Sequence, residues 1–434
     1  MCKGPAEEKK KVDSGPKYMR IYDEVYDVTN FISRHPGGKV IEFYVGQDAT
    51  DAFEALHYHS AIAKKWLKSV PKAPKELIVA KETKDEKKVF IKDDGESPLV
   101  QDFRKLLVVW NEKGYFDVNY PLLVYRMFEI FAFVALSFYL FALPLSAPLR
   151  IFLSSVTIGI AWTRCGWLQH DGGHCGVTGN TTVDHLIQLI FEGFVKGGSA
   201  FWWRNRHNKH HAKCNVQGKD SDLNTYPLLS WDIRTAKKLP KKYIAIQHYT
   251  FVPLLGLYVP LFFFTTKLFM WRKKRSIEAA VSVAHYSTFI YILSNICGGT
   301  PGEIFAFFFF GYVVQGLYLG FCFSLSHFAM PQIPEGEDDQ DWVTNAISTT
   351  LNTDPTPFLS WLTGHLNLQI EHHLCPQMPT ENLLKIKGDV EALAKKHDIK
   401  YNSVTFWEAS NFTIGTLRDV ANQRRMIQEI CESD

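Results

Sequence analysis

Three short runs of histidine hold the chemistry this chain is equipped to do: His170-Asp-Gly-Gly-His174, His207-Asn-Lys-His210-His211 and Gln369-Ile-Glu-His372-His373. The spacings are i,i+4, then i,i+3,i+4, then the same with glutamine in the lead place. On a helix each set falls on one face and aims several side chains at one point. Neutral imidazole is a good ligand for iron, zinc or copper. Seven histidines and a glutamine exceed the four ligands of a tetrahedral zinc. They suit two metal ions in one cradle, with iron favoured because open nitrogen-rich sites activate dioxygen. No HExxH motif is present, which argues against a zinc protease.

The chain has 16 histidines, and a single one is usually a surface or hydrogen-bonded residue. Three runs with the same one-face logic, each beside an apolar segment, are hard to obtain by chance. Around them lie 434 residues, enough for more than one domain. A net charge of +3 gives no general attraction to nucleic acid. The eight cysteines form no CxxC pair, which fits a reducing compartment. Cys175, Cys214 and Cys375 stand near the histidines, where small apolar packing is the favoured role and a thiol ligand the alternative. Met1 to Arg20 is Lys/Glu-rich without an apolar core, so no signal peptide is expected and the N-terminus is expected in the cytosol.

The elements that must position these residues fall into parts. Residues 1–17 read as a disordered N-terminus. Residues 18–70 read as a small α+β domain, with a strand pair in Ile21–Val28 and turns around His35-Pro-Gly-Gly38. Residues 71–98 read as a charged linker, and 99–434 as an all-α membrane domain. Five apolar stretches follow: 122–143, 151–168, 251–271, 277–297 and 304–325. The histidine runs must share one membrane face, so the number of crossings between them must be even. Segment 251–271, with Pro253, Pro260 and Lys267, is expected to stay in the interface or re-enter. Four transmembrane helices with a cytosolic dimetal site result. The basic run Arg272–Arg275 then lies on the cytosolic side.

His35-Pro-Gly-Gly38, followed by Gly46-Gln-Asp-Ala-Thr-Asp-Ala-Phe53 and His57, resembles cytochrome b5. The resemblance implies haem b clamped between His35 and His57, with His59 as the alternative second ligand. Two imidazoles leave no open position, so such a haem passes single electrons. From Tyr22 to about Lys400 the chain resembles the front-end fatty acyl desaturases with a fused cytochrome b5 domain. The matching stretches include Gly166–His174, Lys196–Trp203, His207–Ala212 and Thr363–Leu374, with Gln369 leading the third run. Gly172-Gly173 and Cys375 depart from the commoner bulky residues.

This resemblance implies a two-iron centre held by His170, His174, His207, His210, His211, Gln369, His372 and His373, completed by His327. Asp171, Asp220, Asp222 and Asn352 are candidates to orient those ligands, since a metal-bound imidazole usually gives its other N–H to a carboxylate or carbonyl. Trp202 and Trp203 are candidates for the wall of an acyl channel. Arg204, Arg206, Lys209, Lys237, Lys238, Lys241 and Lys242 are candidates for CoA phosphates or lipid headgroups. The implied activity uses O2 and electrons from NADH, passed by cytochrome b5 reductase to the haem. It places a cis double bond between an existing one and the carboxyl end of a polyunsaturated acyl chain, with acyl-CoA and delta-5 or delta-6 selectivity expected. The expected location is the endoplasmic reticulum membrane, with both termini and the active site cytosolic. The rivals are a sphingolipid long-chain-base desaturase, a hydroxylase with the same metal core, and a non-catalytic b5-type membrane haem protein.

Overall fold

The computed structural model describes residues 15–79, 91–92, 97–225 and 228–433. Residues 1–14 of the expected disordered N-terminus, and 80–90 and 93–96 of the expected linker, lie outside the described residues. The chain divides into two compact units. The first is 1–53 with 62–95, and the second is 54–61 with 96–434.

In the first unit, strands β1 (Tyr18–Ile21) and β2 (Glu24–Asp27) form an antiparallel hairpin, and β3 (Lys72–Ala73) pairs with β2. The hairpin starts three residues before the expected pair, because alternation already operates from Tyr18: Met19 and Ile21 are buried. Helices α1 (Thr50–His57) and α2 (Ala61–Leu67) lie between β2 and β3 in the chain. Met19, Ile21, Tyr26, Val28, Ile32, Ala49 and Val70 make the core. Residues 54–57 of α1, and with them His57, belong to the second unit.

The second unit is nearly all helical. In order it has α3 (Pro98–Glu112), α4 (Tyr120–Ala142), α5 (Ala147–Gly173), α6 (Thr181–Gln188), α7 (Ala200–Ala212), α8 (Ile233–Ala236), α9 (Lys241–Arg272) and α10 (Ser276–Tyr291). Then come α11 (Pro301–His327), α12 (Trp342–Ser348), α13 (Pro357–Thr363), α14 (Gln369–Leu374), α15 (Leu383–Lys396) and α16 (Phe406–Ser433). Many helix starts are marked in the sequence. Ser97, Asn119, Asn180, Ser199, Asp341 and Thr356 each cap the following helix through a side-chain oxygen.

Helices α4, α5, α9 and α11 are long and apolar enough to cross a membrane. The number four matches the sequence reading, but the set does not. The segment expected to stay in the interface, 251–271, lies inside the continuous helix α9. Pro253 and Pro260 are accommodated in that helix. The amine of Lys267 donates to the Gly197 carbonyl and the Ser282 hydroxyl. The expected span 277–297 is instead split: α10 ends at Tyr291 and a π-helical turn covers Ile292–Ile296. Among the four candidates α5 is central, with 67% of its apolar window buried against 11% for α4.

Close helix contact in this bundle rests on glycine. A Cβ at Gly316 would stand 2.5 Å from the Leu255 carbonyl oxygen, and one at Gly159 would stand 2.6 Å from Val314. Backbone cannot yield there, so α11 packs directly against α9 and α5.

Candidate metal centre

Helices α5 and α11 deliver their C-terminal ends to one place, and α7 and α14 meet them there. All of His170, His174, His207, His210, His211, His327, His372 and His373 are buried, as is Gln369. Their ring atoms fall into two groups. One holds His170, His174, His207, His211 and His372, and the other holds His210, His327, His373 and Cys214. Within each group the nitrogen and sulfur atoms lie within 4.8 Å of one another. Gln369 Nε2 stands 3.0 Å from His327 Nε2 and so adjoins the second group. The structure thus brings together all nine residues singled out from the sequence.

The donors fit metal ions on direct observation. The Nε2 atoms of His207 and His211 are 3.1 Å apart, and those of His211 and His372 are 3.2 Å apart. Lone pairs that close repel unless a proton or cation lies between them. The Nε2 atoms of His170, His174 and His373 are buried without a hydrogen-bond partner among the described residues. Burial, reinforced by neighbouring imidazoles, holds His207, His211, His372 and His373 well below the usual histidine value. They are therefore neutral, the state that binds metal.

Acidic groups orient the rings. His170 Nδ1 lies 3.0 Å from Asp171 Oδ1, and His210 Nδ1 lies 2.9 Å from Asp220 Oδ2. Burial alone would lower His210, but the Asp220 and Asp222 carboxylates together outweigh it and the net shift is upward. Asp222 is farther, 3.9 Å from His207 Nδ1, and mainly holds Arg206 at 2.6 Å. Asn352 acts on the helix rather than on a ring. Its amide donates to Glu371 at 2.7 Å and its oxygen accepts the Ile370 N–H at 2.9 Å.

Sequence reasoning missed the partners of these groups. Arg126 of α4 donates to Asp171 at 2.8 Å, and Thr380 donates to it at 3.0 Å. The Tyr401 hydroxyl donates to Glu371 at 2.5 Å. The Cys214 thiol lies 3.5 Å from His327 Nδ1, a contact hinted at only by its nearness to the second run. Cys175 instead sits 3.9 Å from His185.

An apolar cavity opens from the histidines. His207, His210 and His327 line one part of it, Leu255, Val259 and Phe262 another, and Trp202 and Trp203 belong to its wall. Trp203 packs 4.3 Å from the His207 ring. It also explains one departure: a Cβ at Gly173 would stand 2.5 Å from the Trp203 ring.

In the first unit, His35 Nδ1–H donates to the Gly38 carbonyl at 3.0 Å, which fixes the tautomer with Nε2 as the unprotonated nitrogen. Burial lowers its pKa, so the ring is neutral. A Cβ at Gly37 would lie 2.8 Å from that ring, so glycine makes room for it. These features suit a haem ligand. His57 is the last residue of α1, in the second unit.

A fatty acid desaturase family model matches residues 145–405, more than half of the chain. The chain belongs to the fatty acid desaturase family. A model of the cytochrome b5-like haem/steroid binding domain matches residues 5–74, so this desaturase has a b5 domain fused to its N-terminal side. It is 34% identical over 413 residues to an acyl-lipid (8-3)-desaturase of Rebecca salina, covering 94% of this chain and 92% of the relative. It is 28% identical to delta(8)-fatty-acid desaturase 2 of Arabidopsis thaliana, covering 96% and 92%. It is 30% identical to the fatty acid desaturase 2-like protein FADS2B of Mus musculus, covering 94% and 82%. As a family, front-end desaturases are therefore its relatives, and family membership together with the paired donor groups implies two iron ions and a haem.

Proposed function

We propose that this desaturase introduces a cis double bond between an existing double bond and the carboxyl end of a polyunsaturated acyl chain, with delta-5 or delta-6 selectivity. The observation that carries this reading is a cradle of eight buried histidines and Gln369 whose wall continues into an apolar cavity. His170, His174, His207, His211 and His372 would hold one iron ion. His210, His327, His373 and Gln369 would hold the other, with Cys214 beside His327. When bound, the two ions would supply the oxidising power, with O2 and two electrons, that removal of two hydrogens from an unactivated methylene pair requires.

The residues of the chain do the rest. Asp171 and Asp220 fix which imidazole nitrogen faces inward. Trp203 packs on the His207 ring in the cavity wall. His35 and His57, or His59 in its place, would hold haem b, which would supply single-electron transfer from NADH by way of cytochrome b5 reductase. The expected site of action is the cytosolic face of the endoplasmic reticulum membrane.

For the carrier, the basic residues differ in what already holds them. Arg206 is held by Asp222 and Ser221, and Arg204 by Gln188. These two arginines are committed within the fold. Lys237, Lys238, Lys241 and Lys242 are exposed and Lys209 is half-buried, and we assign the phosphate contact to this lysine set. We propose acyl-CoA as the carrier, whereas the Rebecca salina relative is an acyl-lipid desaturase.

The deciding experiment is expression in yeast with polyunsaturated acids fed singly and new double bonds located by mass spectrometry. A His372→Ala, His373→Ala variant is the control. A new bond on the carboxyl side of an existing one, absent in the control, supports the proposal. Conversion of sphingoid bases alone, or of nothing while the haem spectrum is normal, rejects it.

A further inference from the structure

Gln315 lies on α11, twelve residues before His327, which is about 18 Å along the helix axis. It is fully buried and lines the same cavity as the histidines. Among the described residues, neither its carboxamide oxygen nor its nitrogen has a hydrogen-bond partner. One turn farther from the histidines α11 carries a cluster of stacked aromatic rings. Tyr312 stacks on Trp162 at 4.5 Å and on Phe263 at 4.4 Å. Close contacts of Gly311 with α5 and of Gly316 with α9 seal the helices on either side. Gln315 therefore stands in the cavity wall about 18 Å along α11 from its histidine end, on a wall that also carries Phe263 and Thr266.

An amide buried without a partner is costly, so a purely apolar wall would be the more stable choice here. The amide is explained if the ligand brings an acceptor. A saturated tail brings none, whereas the π face of a cis double bond accepts an N–H. We propose that Gln315 reads unsaturation in the methyl-terminal part of the acyl chain, and so selects chains with a double bond there over chains saturated there. The inference rests on the front-end reading, with the reacting carbons at the histidines and the tail at Gln315. Selectivity of this kind arises because covering the amide with a saturated tail leaves it unpaired.

The test uses the full chain in yeast and two acyl substrates in competition. Both have the same length and the same double bonds near the carboxyl end. One carries an additional cis double bond in its methyl-terminal third. The unaltered protein is expected to favour that chain by about two- to five-fold, the size of one N–H to π contact. Gln315→Leu and the closer-shaped Gln315→Met are expected to bring the ratio to about one. A ratio that is one in the unaltered protein, or that both variants keep, overturns the inference and leaves front-end desaturation standing. Variants that lose both conversions together while keeping the haem spectrum show a structural role, which also overturns it. If the unaltered protein converts neither substrate, the front-end reading fails and the inference falls with it.

Discussion

Two carboxylates decide how the imidazoles face. Asp171 and Asp220 each take one nitrogen of a histidine and leave the other directed into the cradle. Asp171→Asn and Asp220→Asn should each weaken iron binding by about 10- to 100-fold. Metal analysis of purified protein checks this, and full iron content in either variant would reject the assignment. Both carboxylates were legible in the sequence because each lies close along the chain to the ring it orients. Their outer partners were not. Arg126 precedes Asp171 by 45 positions and Tyr401 follows Glu371 by 30, and no local pattern records such a pairing. Gly173 belongs to the same class. Its lack of a side chain reads as an oddity until the Trp203 ring is seen against it.

At the scale of elements, the histidine runs predicted their own helices, since i,i+3 and i,i+4 spacings have meaning only there. Which apolar stretches make long regular helices was less legible. Pro253 and Pro260 looked like interruptions, yet α9 passes through both. Nothing in Ile277–Cys297 announced that the helix would widen into a π turn at Ile292. The glycines at helix crossings give a test. Gly316→Val should force α9 from α11 and lower the thermal midpoint in detergent. Gly388→Ala on α15, where an added Cβ meets nothing within 4 Å, should hold or raise stability by up to about 1 kcal/mol. Equal midpoints for the two variants would contradict the packing argument.

For the whole molecule, ligands drawn from four helices make metal binding and folding one equilibrium. Stripping iron with a chelator should lower the thermal midpoint of the second unit by the lost binding energy, about 3–4 kcal/mol for a site at 100- to 1,000-fold saturation. Unfolding curves that coincide with and without iron would mean that the cradle is rigid without its ions. The donors also impose an order in time. His170 leaves the ribosome long before His373, and the peptide that steadies α14 comes later still. Asn352 and Thr353 pair with Ser403 and Val404, and Tyr401 closes on Glu371. A nascent chain halted just after His373 would possess every candidate ligand and lack the clasp on the helix that carries Gln369, His372 and His373. A premature stop between His373 and Tyr401 would therefore yield a protein that has every candidate ligand and an unfinished cradle, and metal loading should wait for those residues.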